Sequence, residues 1–534
     1  MDPVIVVGAG PVGLSLALAL AGSGVPSVVL DEGPGKDLPR PARTVVLHAD
    51  TAAMAQRLGC SPLRDEGAYY TAWRTMRRGR DTRRTTFEDG PAPAPLHVPQ
   101  HALARGLRDA AGTHPLVQLV TDSKLDSLEQ DDRGVTAHTR GAETTWWRGS
   151  YLVGCDGARS TVRKLLGIRF PGRTAVERHA VAALRTELPW PGEALLHRDP
   201  PHETTARPLP DGVWRLDWLL PARGELVTPD ALVTLVRDSL AGWCGGSTPP
   251  YDLLDTGVHT LHHRLARRWR DGRAFLAGDA AHLLGALGTQ GVGEGLRDAE
   301  NLAWKLALAW HQGASEALLD SYEEERRTAV AARLRAADQS MPVLRGGGGL
   351  RTLLPGSART GELLLTDGHL GRGPLGAEPS YAPPVAVREV PTDTDPGGPV
   401  ANVPVTAPDG STVPLRDLLG RGRLLVVLVA PGTGVWDRRH WLGAGLMPRL
   451  AAAVSALPVR TELLVADGYP GAPAHTVLLV RPDGHLAATF AGVRPAELYE
   501  AADTVRWGAP EGARAPLDPS STTPTTPTHP AVID

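Results

Sequence analysis

The residues best suited to chemistry fall in three short runs. The first is Gly8-Ala9-Gly10-Pro11-Val12-Gly13. At this spacing Gly8 permits a tight turn, Gly10 lets a pyrophosphate approach the backbone, and Gly13 lets a helix pack closely on a strand. The helix that follows presents unpaired N–H groups and its positive dipole end, which suit phosphate. Asp31, with Glu32 as the alternative acid, is placed to accept ribose hydroxyls. The second run is Asp156-Gly157, within the stretch Cys155 to Arg163, and the third is Gly278-Asp279, within Gly272 to His282. Asp279 ends one predicted strand and opens a helix, so its carboxylate can bond polyol hydroxyls near free N–H groups. The glycine fingerprint alone does not separate NAD, NADP and FAD.

The elements that must position these residues are legible around them. Residues 4–7 form a β-branched run suited to a strand buried on both faces. Residues 14–20 are Leu/Ala-rich helix and 28–30 a second strand, giving a βαβ opening. Short strands and one helix follow, and a buried strand at 151–155 leads back to Asp156. Residues 171–271, rich in Pro and Trp, are expected to form an inserted β-sheet domain. A strand at 274–277 and helices at 291–312 and 315–337 return the chain to the first unit. The expected fold class is α/β. A Rossmann-like dinucleotide-binding domain (1–170 and 272–345) carries the sheet insert, a linker spans 346–399, a further α/β domain spans 400–505, and a disordered tail covers 506–534.

Composition excludes several classes. The 534 residues carry a formal net charge of -3, so no basic excess points to nucleic acid or to an anionic membrane. Only Cys60, Cys155 and Cys244 occur, which excludes a disulfide scaffold, a Cys-rich zinc site, an iron–sulfur cluster and a CxxC motif. His259, His262 and His263 lack a carboxylate at metal-site spacing and read as a polar cluster, so no metal is expected. No apolar stretch approaches the ~20 residues that cross a bilayer. The N-terminus lacks the pattern of a signal peptide, and a reducing cytoplasm is the expected location.

Arg43, Gln100, and the Asp156 and Asp279 motifs occur in an order and spacing that resemble the single-component flavoprotein aromatic hydroxylases of the para-hydroxybenzoate hydroxylase fold. The nearest branch holds the hydroxyphenylpropionate-type and aromatic polyketide hydroxylases, and the resemblance covers about residues 3–340. It implies FAD as cofactor and NADPH (or NADH) as reductant. It implies FAD contacts from Arg43, Gln100, Asp156, Gly157, Gly278 and Asp279, beside those of the fingerprint. Gly288-Thr289-Gln290-Gly291-Val292-Gly293 resembles the loop beside the isoalloxazine, with Gly288, Gln290, Gly291 and Val292 as contacts. The resemblance further implies that O2 adds at flavin C4a as a hydroperoxide and that one oxygen passes to a polycyclic phenol or quinone of aromatic polyketide type. Baeyer–Villiger insertion is the alternative oxygenation.

This loop also departs from the family pattern. Two prolines are expected where the chain has Gly285-Ala286, so Gly285, Ala286 and Gln290 are the flavin-side candidates for catalysis. Proline stiffens a backbone and these residues do not, which leaves a non-oxygenating cyclase or binding protein as the further alternative. Trp214 and Trp218 share one strand face by period two and are the substrate-side candidates, either stacking on a flat ligand or packing into core. The 400–505 unit resembles a thioredoxin-like extension. It has no cysteine, so it cannot exchange electrons, and packing or subunit contact in a homodimer is its expected use.

Overall fold

The computed structural model describes residues 1–36, 38–60, 63–87, 94–141, 145–199, 203–221, 227–285, 291–313, 315–344, 357–383, 389–431 and 446–508. Strand β1 (Val4–Val7), helix α1 (Pro11–Gly22) and strand β2 (Ser27–Leu30) form the βαβ opening. Strand β3 (Thr44–Leu47), helix α2 (Gln100–Thr113), strand β4 (Val117–Val120), strand β5 (Tyr151–Gly154) and the short helix α3 (Thr161–Leu165) follow. Next come β6 (Gly172–Arg185), β7 (Thr204–Pro208), β8 (Val213–Leu220), α4 (Pro229–Trp243), β9 (Asp252–Leu265), β10 (Ala274–Leu276) and α5 (Gly291–Gln312).

The first sheet has the order β10-β5-β1-β2-β4, all parallel, with Arg270–Asp271 antiparallel at one edge. Strands β1, β2 and β5 are fully buried, which explains why they read as unbroken apolar runs rather than as alternations. Gly8 follows β1, Asp31 follows β2, Asp156 lies just past β5 and Asp279 just past β10. Residues far apart in sequence thus meet outside the carboxyl ends of parallel strands, where open α/β sheets bind ligands.

The second sheet has eight strands in the order His282–Leu283, β9, β6, β8, β7, Glu193–His197, Ala72–Arg77, Arg80–Thr86. It reaches beyond the stretch 171–271 by recruiting strands from both sides of it. Long-range pairing, invisible to a local pattern, adds them: Ala72 to Met76 pair in parallel with Glu193 to His197. The outer face packs Trp190, Trp214, Trp218 and Trp243 with α4 into a separate core.

The C-terminal unit contains β11 (Leu424–Val429), β12 (Thr461–Ala466), β13 (Thr476–Val480) and β14 (Leu486–Ala491) in the order β12-β11-β13-β14. β11 and β12 are parallel and the other pairs antiparallel, as in thioredoxin-like sheets. This unit is not tethered loosely. Trp304 of α5 lies in its hydrophobic core, and Arg481 pairs with Glu325 at 2.7 Å and Asp483 at 2.6 Å. Lys305 Nζ meets Glu325 at 2.8 Å, and Asp483 accepts from Asn301 and Trp304 of α5. No described helix is long and apolar enough to cross a membrane.

Candidate functional site

The glycine turn is built by close approach. Gly8 has φ +105°, and a Cβ there would lie 2.5 Å from the Cys155 carbonyl oxygen. A Cβ on Gly13 would run into the Gly8 carbonyl, so this pair sets the spacing of β1, α1 and β5. Gly10 differs, because nothing lies within 4 Å of its Cβ position. It is the N-cap of α1, with Pro11 after it and no side chain capping the first turn. The free N–H groups therefore face a crevice of about 370 Å³ that Gly8, Gly10, Pro11 and Val12 line.

The acids reach the same crevice. Asp31 accepts from Ala9 N at 2.6 Å through Oδ2 and from Gly33 N at 2.8 Å through Oδ1. It stitches the turn to β2 and keeps lone pairs for ribose hydroxyls. Glu32 lines the crevice too, largely exposed and 3.2 Å from Lys124 Nζ. Asp156 Oδ2 caps α3, accepting from Thr161 N at 2.6 Å and Val162 N at 3.0 Å. Among the described residues its buried Oδ1 has no hydrogen-bond partner, an uncommon state that a bound ligand would relieve. Arg43 Nε donates to Gln100 Oε1 at 2.9 Å, fixing both side chains at the crevice wall with Gly157 nearby. The Asp279 side chain opens onto the crevice. Crowding by protein pushes its carboxyl pKa up, against the pull of His282 and Arg43. Gly278 stands behind, where a Cβ would press on Val12 at 3.0 Å. An open glycine, uncapped helical N–H groups, an orphaned carboxylate oxygen and ribose-reaching acids together fit a dinucleotide such as FAD.

A second cavity of about 430 Å³ shares Arg43, Gln100, Asp279, Gly291 and Val292 with the crevice. Its far wall is the inner face of the eight-stranded sheet, where His179 of β6, Arg215 and Asp217 of β8, and His259 of β9 come together. His179 lies directly opposite His259 in the β6–β9 register. His179 Nδ1 is 2.6 Å from Asp217 Oδ1, and its Nε2 is 3.6 Å from Glu177 Oε2. Arg215 holds the other Asp217 oxygen at 2.9 Å and donates through Nε to Ala42 O at 3.0 Å. Burial opposes charge on His179, but Asp217 and Glu177 outweigh it and raise its pKa to about 9. Burial likewise favours neutral Asp217, yet His179 and Arg215 keep it far below the ordinary carboxylate range. Burial lowers the pKa of His259, and the charges on Arg215, Arg43 and His179 lower it further, against Asp217.

Trp214 and Trp218 correct the substrate-side expectation. Both are buried on the opposite face, in the core with α4, and Trp218 Nε1 donates to Ser239 Oγ at 2.9 Å. The strand that they mark does line the cavity, but through the residues between them. In Trp214-Arg215-Leu216-Asp217-Trp218 the alternation was the available signal: the apolar face makes core and the polar face meets the cavity.

Of the altered loop, Gly285 is described and lines the second cavity. A Cβ there would lie 2.9 Å from His263 Cδ2 and from Val176 Cγ2, so close approach to β9 accounts for the missing proline ring. Ala286, Gly288 and Gln290 lie outside the described residues. Gly291 and Val292 open α5, whose N-terminus faces both cavities. Glu294 in its first turn is buried and ionised. Arg333, Arg297 and Arg326 overcome burial and hold it well below its ordinary pKa, so it has no proton to give. His282, fully buried, bonds Asp298 at 2.8 Å and stacks on Trp269.

A parallel sheet whose carboxyl ends converge on a glycine turn, joined to a sheet that walls a second chamber, defines a dinucleotide-binding flavoprotein architecture. The family described as FAD binding domain matches residues 1–337, and the chain belongs to it. A 3-(3-hydroxy-phenyl)propionate/3-hydroxycinnamic acid hydroxylase of Comamonas testosteroni is 34% identical over 341 residues. That match covers 61% of this chain and 55% of the relative, so it spans little more than half of the relative's length. Two solved structures extend the likeness through the C-terminal unit. OxyS anhydrotetracycline hydroxylase from Streptomyces rimosus has a TM-score of 0.67 and 28% identity, covering 95% of this chain and 99% of that one. The Diels-Alderase PyrE3 of pyrroindomycin biosynthesis has a TM-score of 0.66 and 26% identity, covering 96% and 100%.

Proposed function

We infer that this protein is an FAD-dependent, NADPH- or NADH-consuming monooxygenase that places one O2-derived oxygen on a polycyclic phenol of aromatic polyketide type. The observation that carries this reading is the continuity of the two cavities through Arg43, Gln100, Asp279, Gly291 and Val292. A ligand held at the phosphate-binding turn can extend past Asp279 to present its far end to the polar chamber. Bound FAD would supply electron transfer and oxygen activation. The chain's own part is to hold, orient and charge. The α1 N-terminus and Asp31 would hold pyrophosphate and ribose, Asp156 and Asp279 the polyol linker. The positive end of α5 would favour negative charge on a reduced ring. The sheet face would orient the substrate. The hydroxylase relatives support this class.

The test is direct. The purified protein should be yellow, or turn yellow on adding FAD. It should oxidise NADPH faster with polycyclic phenols present, giving products heavier by one oxygen atom. A colourless protein that refuses FAD overturns the reading. A second reading, a flavoprotein that cyclises rather than oxygenates, is favoured by Gly285 in place of proline and by the likeness to PyrE3. FAD-loaded protein that converts substrate without mass gain would select it.

A further inference from the structure

Of the three histidines that line the chamber, His179 and His259 stand in opposed electrostatic settings. His179 is clamped by Asp217 on one nitrogen and flanked by Glu177 on the other, so both its nitrogens face carboxylates. His259 stands opposite on the next strand, half-buried at the chamber wall, and its ring makes no hydrogen bond or ion pair among the described residues. Its ring lies beside Gly257, with Nε2 3.6 Å from where a Cβ would stand, an ordinary contact distance. The charges that weigh most on it are His179 from β6, Arg215 and Asp217 from β8, and Arg43 from the segment before β3, while Asp279 and His262 also line the chamber. Arg215, Arg43 and His179 outweigh Asp217, so they discourage a proton on the imidazole and favour an anion in the space beside it.

We propose that His259 accepts the hydroxyl proton of a phenolic substrate bound in this chamber, and that His179 and Arg215 hold the resulting phenolate. The proposal rests on the monooxygenase reading above. In the step the O–H bond breaks, an N–H bond forms at the His259 imidazole, and the electron pair stays on oxygen. That pair enriches the ring for attack by an electrophilic oxygen. Opposed environments for two neighbouring titratable groups are what divides acid from base roles in a site. His179, already charged and clamped, cannot take the proton. His259 can.

The probe is 1,8-dihydroxyanthraquinone, a polycyclic phenol whose visible spectrum changes on ionisation, bound to the oxidised FAD holoenzyme. Its bound phenolate fraction is followed from pH 5.5 to 9 in wild type, His259→Gln and His259→Asn. The expected result is phenolate in the wild type well below the dye's solution midpoint. In both variants the midpoint should rise by at least about one pH unit, a tenfold change in the ionisation constant. Flavin content should be unchanged, and affinity for the neutral dye at pH 5.5 should stay within about threefold. A second measurement needs no variant: in weakly buffered wild type at pH 7, phenolate should form without release of a proton to solvent. Identical ionisation in wild type and variants, or one proton released per phenolate formed, overturns the role of His259 and leaves the monooxygenase reading standing. Failure of the dye to bind flavin-loaded wild type overturns the substrate class of that reading, and the proposal with it.

Discussion

At the scale of single residues, the glycines of the turn have separable duties. Gly13→Ala should force β1 and α1 apart and cost more than about 3 kcal/mol, because its Cβ meets backbone that cannot swing away. Gly10→Ala adds a methyl to open space and should leave thermal stability within about 1 kcal/mol while weakening FAD binding. Thermal melts and flavin absorbance on the two variants check both. Asp279→Ala should lower FAD affinity about tenfold or more, the loss typical for a charge-assisted hydrogen bond. Calorimetric titration of apoprotein with FAD measures it, and unchanged affinity would remove Asp279 from the cofactor site. His179 gives a pH signature. Its folded pKa, about 9, exceeds the unfolded value of 6.5, so its stabilisation is complete below 6.5 and lost as pH rises to 9. The contribution is at most about 3 kcal/mol. Melting temperature should fall over that window in wild type, and His179→Gln should flatten the decline.

At the scale of elements, local pattern and long-range register divide what the sequence makes legible. The turn, Asp31, Asp156 and Asp279 each sit where one strand meets the next element, so their types and immediate neighbours announce them. Arg43 and Gln100 were reachable only through family likeness, since nothing local says that residues 57 apart will share a hydrogen bond. The chamber wall was missed because it is a property of three strands in register. His179, Asp217 and His259 come together only when β6 pairs with both β8 and β9. The tryptophans drew attention to β8, and their size obscured the polar residues between them. Alternation told that one face would be core but not which face the ligand would see. The eight-stranded sheet was underestimated for the same reason, because strands at 72–86 join it through parallel pairing with a segment over a hundred residues later.

At the scale of the whole molecule, the buried charges between the C-terminal unit and α5 decide whether it behaves as one body. Arg481, Glu325, Asp483 and Lys305 lie at or below 9% side-chain exposure. Removing one partner from such a set leaves uncompensated buried charge and typically costs about 3–5 kcal/mol. Wild type should therefore unfold in urea in a single transition. Arg481→Met should lower its midpoint and separate melting of the C-terminal sheet from release of flavin, read together by circular dichroism and flavin fluorescence. Coincident transitions in the variant would show that apolar packing around Trp304 alone unites the units.

The helix α5 opens at the crevice of the glycine turn with Gly291 and Val292, and a few turns later hands Asn301 and Trp304 to the C-terminal unit. For anyone seeking a minimal enzyme, this forbids the obvious economy. Trimming the gene near codon 400 would leave two interior side chains of the helix, Asn301 and Trp304, without their Asp483 partner and unfasten the rod that opens at the crevice.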